Sequence, residues 1–158
     1  MKKTMKEKGQ AKLIEMLTSA YWMELETVMN YLANAVDLDG VRAEEIKKSL
    51  LADVTEELAH AQAFAGRIKQ LGGRIPGPVG FKTSQKSLQP PKDSTNVVAV
   101  IRGVIDAEES AIEHYKHLIE RAGESRDYVT QDLAVRTLAD EESHRTLFAG
   151  YLKEYSKS

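Results

Sequence analysis

The stretch Glu-Glu-Leu-Ala-His at positions 56–60 places Glu57 and His60 three residues apart. On an α-helix this spacing puts a carboxylate and an imidazole on one face, one turn apart. A second stretch, Asp-Glu-Glu-Ser-His at 140–144, repeats the same spacing. Two such pairs predict one shared site inside a helical protein.

Both Glu-x-x-His motifs interrupt an apolar stripe of helical period. At 100° per residue, the residues within about 60° of Glu57 on the helical wheel are almost all of core type. They are Ile46, Leu50, Val54, Ala61, Phe64, Ile68 and Leu71. Around Glu141 the corresponding residues are Ala134, Leu138, Phe148 and Leu152. We therefore expect both carboxylates, and with them His60 and His144, to point into the core.

Two further glutamates precede the motifs at one common distance. Glu24 lies 33 positions before Glu57, and Glu108 lies 33 positions before Glu141. A tyrosine follows each of these glutamates by seven positions, and the two tyrosines are Tyr31 and Tyr115. A pseudo-twofold axis between the two halves would bring four carboxylates and two imidazoles to one centre. We expect the tyrosines to hydrogen-bond ligand carboxylates of the facing helix.

Hydrophobic periodicity predicts an all-α protein of four helices. Their expected bounds are about 11–36, 42–72, 95–122 and 126–155. Residues 73–96 contain all four prolines and show no sustained periodicity, so we interpret them as a long crossover. Two helical hairpins joined by one crossover are the layout of a four-helix bundle, which we expect to span residues 11–158.

Composition favours a single globular domain. The chain has 158 residues, of which 42% are apolar and 29% charged, and its net charge is −2. No apolar run is long enough for a membrane span, and no hydrophobic segment follows the N-terminal lysines, so we expect a cytoplasmic protein. The absence of cysteine excludes disulfides, thiolate metal sites and iron–sulfur clusters. Any metal must therefore use oxygen and nitrogen ligands.

Residues 1–10 carry four lysines against one glutamate and show no periodicity. We interpret them as a flexible, solvated tail. The alternative is an arm that touches DNA, because lysines of a mobile segment can neutralise phosphates without reading sequence.

The predicted donor set defines the chemistry of the site. Four carboxylates and two imidazoles suit iron or manganese in the +2 and +3 states, and carboxylates can bridge two ions. Four buried glutamates without cations would be very costly in an apolar core. Arg145 is the one basic residue near this face, and one arginine cannot balance four carboxylates. These residues predict a dinuclear metal site.

Four segments carry a resemblance to a known family: Glu-Leu-Glu-Thr-Val-Met-Asn-Tyr (24–31), Glu-Glu-Leu-Ala-His-Ala (56–61), Ala-Glu-Glu (107–109) and the stretch 127–144. They resemble the four ligand segments of the ferritin-like superfamily, and most closely those of bacterioferritins. The resemblance implies a ferroxidase centre of two iron ions, with Glu57 and Glu141 as bridges. Its full ligand set would be Glu24, Glu57, His60, Glu108, Glu141 and His144.

The same resemblance implies a function. Such centres oxidise Fe(II) with dioxygen or peroxide, and the protein shell stores the Fe(III) mineral and protects against oxidative stress. Two other classes remain open. One is a small dinuclear iron or manganese oxidase, peroxidase or catalase; the other is a DNA-protecting miniferritin that uses the lysine-rich tail.

Two departures from the bacterioferritin pattern affect cofactors and assembly. Bacterioferritins ligate haem through a methionine directly after the second-helix glutamate, and here that position is Leu58, which argues against haem. The chain continues for only fourteen residues after His144, so we expect no fifth helix. A shell of twelve subunits is therefore favoured over one of twenty-four, and an isolated dimer is the alternative.

The outer side of the first helix carries a second apolar stripe. Trp22, Leu25 and Met29 lie roughly 160°, 100° and 140° from Glu24 on the helical wheel, so they cannot face the same core. We expect them to form a twofold dimer interface. Glu26, about 160° from Glu24, should face outward.

Four further polar residues are expected outside the site. We expect the two acids that flank Glu57 to lie at the plain surface or rim, and the alternative is that they guide ions inward. The periphery would hold two histidines of the third helix. The two acids are Asp53 and Glu56, and the two histidines are His114 and His117.

Overall fold

Four long helices build the protein, and the computed structural model describes them within residues 4–157, giving only the backbone for Met5 and Lys6. Helix α1 spans Met5–Asp37, α2 Glu44–Gln70, α3 Val97–Glu124 and α4 Tyr128–Tyr155. Helices α1 and α2 form one closely packed hairpin, and α3 and α4 form the other. The described residues contain no strand, and the expected all-α bundle with one crossover is confirmed.

Helix α1 begins at Met5, not near residue 11, so the expectation of a non-helical segment over residues 1–10 is wrong from Met5 onward. A capping box is the cause. The Glu7 amide donates to Thr4 Oγ1 at 3.2 Å, and the Thr4 amide donates to Glu7 Oε2 at 2.6 Å. Residues 1–3 of the expected tail lie outside the described residues.

The turns between helices follow local sequence signals. At the end of α2 the amide of Gly73 donates to the carbonyl of Ile68 at 2.9 Å, and Gly72 has φ of +79°. This pairing is a Schellman cap, which requires a left-handed residue that glycine adopts without strain. Asp127 caps the start of α4 by accepting from the Thr130 amide at 3.1 Å.

The crossover between α2 and α3 is anchored on the outer side of α1. Glu26 accepts hydrogen bonds from the amides of Ser84 and Gln85, at 2.7 and 2.9 Å, and from the Ser84 hydroxyl at 2.8 Å. Glu26 is therefore only 4% exposed, and the expectation that it faces solvent is wrong. It points away from the bundle core, but the crossover covers it.

The crossover also covers part of the second apolar stripe. Trp22 packs edge-on against Phe81 of the crossover, with ring centroids 5.9 Å apart, and is only half-buried. Leu25 is half-buried as well, whereas Met29 is 52% exposed. Of the three residues expected at a dimer interface, Trp22 thus already has a partner within its own chain.

Two apolar clusters fill the bundle, one toward each end. One contains Tyr31, Leu38, Ile46, Leu50, Leu88, Val97, Ile101 and Phe148. The other contains Leu13, Leu17, Phe64, Ile68, Tyr115, Leu118 and Ala134. On each helix the predicted ligands lie between the residues of these two clusters. Within the described part of the chain, no helix is both long and apolar enough to cross a membrane.

Candidate metal centre

All six predicted ligands meet at the middle of the bundle. One carboxylate comes from α1, one from α3, and a Glu-x-x-His pair comes from each of α2 and α4. Every one of the six is buried: the four glutamates are 1–2% exposed, and the two histidines are 8% and 6% exposed. The sequence periodicity had placed each of these side chains on the inward face of its helix.

The donors form two overlapping clusters. The first contains Glu24, Glu57, His60 and Glu141, and the second contains Glu57, Glu108, Glu141 and His144. In each cluster one donor atom per residue lies within 4.8 Å of the others. Glu57 and Glu141 belong to both clusters, so each is placed to bridge two positions.

The histidine rings turn their Nδ1 atoms toward the carboxylates. His60 Nδ1 lies 3.2 Å from Glu141 Oε1 and 3.6 Å from Glu57 Oε2. His144 Nδ1 lies 3.2 Å from Glu57 Oε1 and 3.6 Å from Glu141 Oε2. The two sets of distances are equal, which shows the pseudo-twofold symmetry expected from the repeated sequence.

The opposite ring nitrogens face two other acids. His60 Nε2 lies 3.0 Å from Asp140 Oδ2, and His144 Nε2 lies 3.0 Å from Glu56 Oε2. Sequence reasoning overlooked Asp140 and placed Glu56 at the rim. The available signal was position, because each acid directly precedes the glutamate of a Glu-x-x-His motif.

Both tyrosines donate hydrogen bonds into the cluster, as the sequence predicted. Tyr31 donates to Glu108 Oε1, and Tyr115 donates to Glu24 Oε1. Both rings are fully buried. Each bond joins α1 to α3, so the carboxylate of each helix is oriented by the tyrosine of the other.

Burial and mutual repulsion shift two of the glutamates toward the neutral form. Burial, together with the charge of Glu57, raises the pKa of Glu24 well above its usual range. Burial and the neighbouring Glu141 raise the pKa of Glu108 in the same way. These are the two carboxylates that accept hydrogen bonds from tyrosines.

The two shared glutamates and the histidines shift toward their charged forms. Burial disfavours ionisation of Glu57, but its contacts with Glu24 and with both imidazoles outweigh burial and lower its pKa to about 2. Burial likewise opposes protonation of His144, but its contacts with Glu141 and Glu57 raise its pKa to about 12. In the metal-free centre, protons on the histidines and on Glu24 and Glu108 therefore offset the negative charge of the carboxylates. Divalent cations can replace these protons.

Among the other polar residues, Asp53 lies deeper than the sequence predicted, whereas the two histidines of α3 lie outside the centre as expected. Asp53 is 8% exposed, not at the surface, and burial raises its pKa to about 6. His114 is half-buried and bonds the carbonyl of Met16 at 2.9 Å, whereas His117 is exposed. In the described part of the chain Arg145 forms no ion pair.

The chemistry of this donor set fits two metal ions. The Nδ1 atoms of both histidines and Oε1 of both shared glutamates are buried and form no hydrogen bond within the described residues. Buried polar atoms without partners are costly unless something else satisfies them. Carboxylate and imidazole donors in two sets of four match iron or manganese, and the shared glutamates match bridging ligands.

Comparison with known proteins gives the same family on independent grounds. Residues 14–158 match the model of the ferritin-like domain. The chain is 30% identical to a bacterioferritin of Desulfovibrio desulfuricans over 143 residues, which are 90% of this chain and 75% of that protein. It is also 30% identical to a bacterioferritin of Brucella melitensis over 137 residues, 87% of this chain and 80% of that one.

Structural similarity extends over nearly the whole chain. The solved structure of the D. desulfuricans bacterioferritin, described for its diiron site in different catalytic states, superposes with a TM-score of 0.81 at 27% identity. The match covers 98% of this chain and 85% of that one. The chain therefore belongs to the ferritin-like family, in which bacterioferritins are among its relatives.

Proposed function

We propose that this protein oxidises Fe(II) at a dinuclear ferroxidase centre, for iron storage and detoxification and for protection against oxidative stress. The observation that carries the proposal is the pair of buried donor clusters that share Glu57 and Glu141. A diiron site in a bacterioferritin of the same fold supports it. Two Fe(II) ions bound there as substrate supply two electrons, which dioxygen or peroxide accepts.

Each residue of the centre has a distinct part in this proposal. Glu24 and His60 would hold one iron, and Glu108 and His144 would hold the other. Glu57 and Glu141, which belong to both donor clusters, would be shared between the two ions, whose separation in two-metal sites is usually about 3.5–4 Å. Tyr31 and Tyr115 fix the orientation of the two terminal carboxylates through the hydrogen bonds described above.

Iron is proposed over manganese because the relatives that support the centre are bacterioferritins. The donor set itself accepts both metals. A dimanganese catalase or oxidase could use the same donor set, so metal analysis of protein purified without added metal separates the two activities.

We also propose that the protein assembles through the outer face of the α1–α2 hairpin. Between Met16 and Val36 the only charged residues of α1 are Glu24 and Glu26, and both are buried. A long helix surface without an exposed charge is unusual in a monomer. Trp22, Leu25 and Met29 thus belong to a wider apolar surface, whose exposed members are Met29, Leu32 and Val36 of α1 and Leu51 and Leu58 of α2.

A second copy of the chain is the proposed occupant of that surface. Two copies of the α1–α2 hairpin can pack antiparallel across a twofold axis. The apolar surface of one copy then covers the same surface of the other. Dimers of this kind can then build a closed shell, for which twelve subunits is our proposal. Light scattering coupled to size-exclusion chromatography decides between a dimer and a shell.

Adjacent acids on α4 offer a matched test of the ferroxidase proposal. Glu141 is buried in both clusters, whereas Glu142 is exposed. We expect Glu141→Ala to slow Fe(II) oxidation by at least about a hundredfold, since a lost bridge affects both irons, and Glu142→Ala to leave it unchanged. Stopped-flow absorbance after mixing with Fe(II) and dioxygen gives the rates. Equal rates for the two variants would refute the proposal.

A further inference from the structure

A cleft of about 480 Å³ lies at the end of the bundle where α1 begins and α3 turns into α4. Among the residues that line it are Gly9 of α1, Leu71 at the end of α2, and Arg121, Ser125 and Arg126 from the end of α3 and the turn. None of the six predicted metal ligands lines it. Its volume is within the range of sites that bind small molecules. The cleft is therefore a candidate binding site separate from the metal centre.

The acids of this cleft already have partners, whereas one of its arginines has none. Asp127 accepts a hydrogen bond from the guanidinium of Arg67 at 2.6 Å. Glu124 accepts one from Arg121 Nη1 at 2.9 Å. The guanidinium of Arg126 makes no ion pair or hydrogen bond within the described residues. The cleft therefore has an excess positive charge, which Arg126 supplies.

Unused hydrogen-bond donors accompany this charge. Arg121 Nε is buried and has no partner among the described residues, although an arginine offers five N–H donors. The hydroxyl of Ser125, an exposed residue, also lacks a partner in the part of the chain that the structure describes. Buried donors without partners are costly unless something else satisfies them. An acceptor bound in the cleft would satisfy both groups.

The backbone of Arg126 has a conformation that arginine disfavours. Helix α3 ends in a Schellman cap, in which the Arg126 amide donates to the Gly123 carbonyl at 3.0 Å and the Asp127 amide to the Ala122 carbonyl at 2.9 Å. Arg126 has φ of +54°, whereas the same cap at the end of α2 uses Gly72. Glycine would adopt this conformation without strain. Strained residues of this kind are concentrated at functional sites.

Gly9 is also a residue that its local structure disfavours, because it lies inside helix α1. A Cβ atom at this position would lie 3.7 Å from Ser125 Oγ. Any larger side chain would therefore extend over the turn and occupy the cleft. Gly9 and Arg126 are thus two locally unfavourable residues in one cleft, where the first leaves space and the second supplies charge.

We propose that this cleft binds a small oxyanion with two or more negative charges, held by Arg121, Arg126 and the hydroxyl of Ser125. Guanidinium groups bind phosphate and carboxylate oxygens through paired N–H bonds, and these are stronger than bonds between neutral groups. Two guanidinium groups in one cleft match a phosphate group or a dicarboxylate. Asp127 already caps the start of α4, so side chains and not the helix end supply the donors.

Isothermal titration of the whole protein in a chloride buffer tests this site, with inorganic phosphate and malonate as the two probes. We expect saturable binding of at least one probe, with a Kd of about 1 mM or tighter. Binding of one probe alone identifies the oxyanion class that the site prefers. Arg126→Gly should weaken binding at least about tenfold, because it removes the unpaired charge. No saturable binding of either probe, or equal affinities of the parent and Arg126→Gly, would overturn the proposal.

The same substitution separates binding from loss of structure. Because glycine adopts the conformation of residue 126 without strain, Arg126→Gly should unfold at a higher urea concentration than the parent protein. The bound probe should raise the urea midpoint of the parent and leave that of Arg126→Gly unchanged. A lower midpoint for Arg126→Gly without any probe would contradict an arginine that serves binding at the expense of stability.

Two further variants test the position of the site. Arg74→Gln removes the same charge from an exposed residue that lines a different, smaller cleft near the end of α2, and it should bind the probe like the parent. An equal loss in Arg74→Gln would overturn the proposal, because the overall charge of this end would then attract the anion. Gly9→Leu should abolish binding by filling the cleft, and unchanged affinity would contradict the assigned position.

Fe(II) oxidation distinguishes this proposal from that of the ferroxidase centre. Arg126 is not a donor of the metal clusters, so Arg126→Gly should oxidise Fe(II) at the rate of the parent protein. Loss of anion binding with an unchanged oxidation rate is the expected result. A parent protein that binds the probe but oxidises no Fe(II) would refute the ferroxidase centre alone. An oxidation rate that fell together with anion binding would contradict a separate site.

Discussion

The two tyrosines beside the metal centre, Tyr31 and Tyr115, are buried side chains that each hydrogen-bond one ligand carboxylate. Each is fully buried and directs its hydroxyl at a carboxylate of the facing helix. Removing the hydroxyl leaves packing almost intact, but it frees the carboxylate to rotate. A Tyr→Phe substitution therefore tests the orientation of a ligand carboxylate with less effect on stability than substitution of a ligand itself.

We expect Tyr115→Phe to weaken metal binding about 10–100-fold, because Glu24 loses the donor that orients it. Tyr151→Phe is the matched control, since its hydroxyl contacts Ser49 and no predicted ligand. Isothermal titration with Co(II) compares the two variants. Identical affinities would show that the Glu24 orientation does not depend on Tyr115.

The six predicted ligands were recognisable from sequence because helical periodicity fixes which face each side chain occupies. Glu57 and Glu141 lie in stripes of apolar residues, and an acid within such a stripe has to be buried. The contacts of Glu56 and Asp140 were not predictable in this way. They join helices through residues 88 and 80 positions apart, so they depend on how the two hairpins pack.

The ends of the helices follow local capping signals in the sequence, but the packing of the crossover over α1 does not. Thr4, Gly72 and Asp127 each follow a known capping pattern. The burial of Glu26 had no such signal. Glu26 is buried because the crossover, which shows no periodicity, folds over α1. A helical wheel gives the direction of each side chain, but it does not show which other segments cover the helix.

Glu26 is expected to contribute to the stability of the crossover. Replacing it with Ala removes three hydrogen bonds to a carboxylate, and we expect the free energy of unfolding to fall by about 2–3 kcal/mol. Limited proteolysis should then cut within residues 73–96 faster than in the parent protein.

Glu15→Ala is the control for this change, because Glu15 is an exposed acid on the same helix whose ion pair with Lys12 is solvent-exposed. It should alter the free energy of unfolding by less than about 0.5 kcal/mol. Equal effects of the two substitutions, measured by urea denaturation, would mean that Glu26 does not anchor the crossover.

The start of α4 should make stability depend on pH. Burial opposes ionisation of Asp127, but hydrogen bonds from Thr130 and the charge of Arg67 outweigh it and lower its pKa. A lowered folded-state pKa adds stability above the unfolded value of about 3.9, and this stability disappears as pH falls through the folded-state pKa. Asp127→Asn keeps the helix cap but loses the charge.

Thermal unfolding from pH 7 down to pH 2 tests this expectation. The parent protein should be more stable than Asp127→Asn at pH 7, and the difference should shrink steadily below about pH 4. A difference that stayed constant over this range would exclude the Asp127 charge as its source.

For the whole molecule, the uncharged outer surface of α1 predicts self-association. Leu32 is a 49% exposed member of this surface, and it is not among the donors of the metal centre. We expect Leu32→Glu to dissociate the assembly to monomers, because pairing would bury a carboxylate without a partner. Val79→Glu, in the crossover, introduces the same charge at a fully exposed position and should leave the assembly intact.

Light scattering coupled to chromatography measures the mass of both variants. The assembly proposal fails if the parent protein is itself a monomer. The α1–α2 interface fails if Leu32→Glu keeps the parent mass.

The central claim is that one bundle holds two metal ions between shared glutamates. A crystal structure of the iron-loaded protein, with anomalous scattering collected at the iron edge, measures it most directly. Two anomalous peaks per chain, about 3.5–4 Å apart and both contacting Glu57 and Glu141, are the expected result. A single peak, or peaks away from these two glutamates, would contradict it.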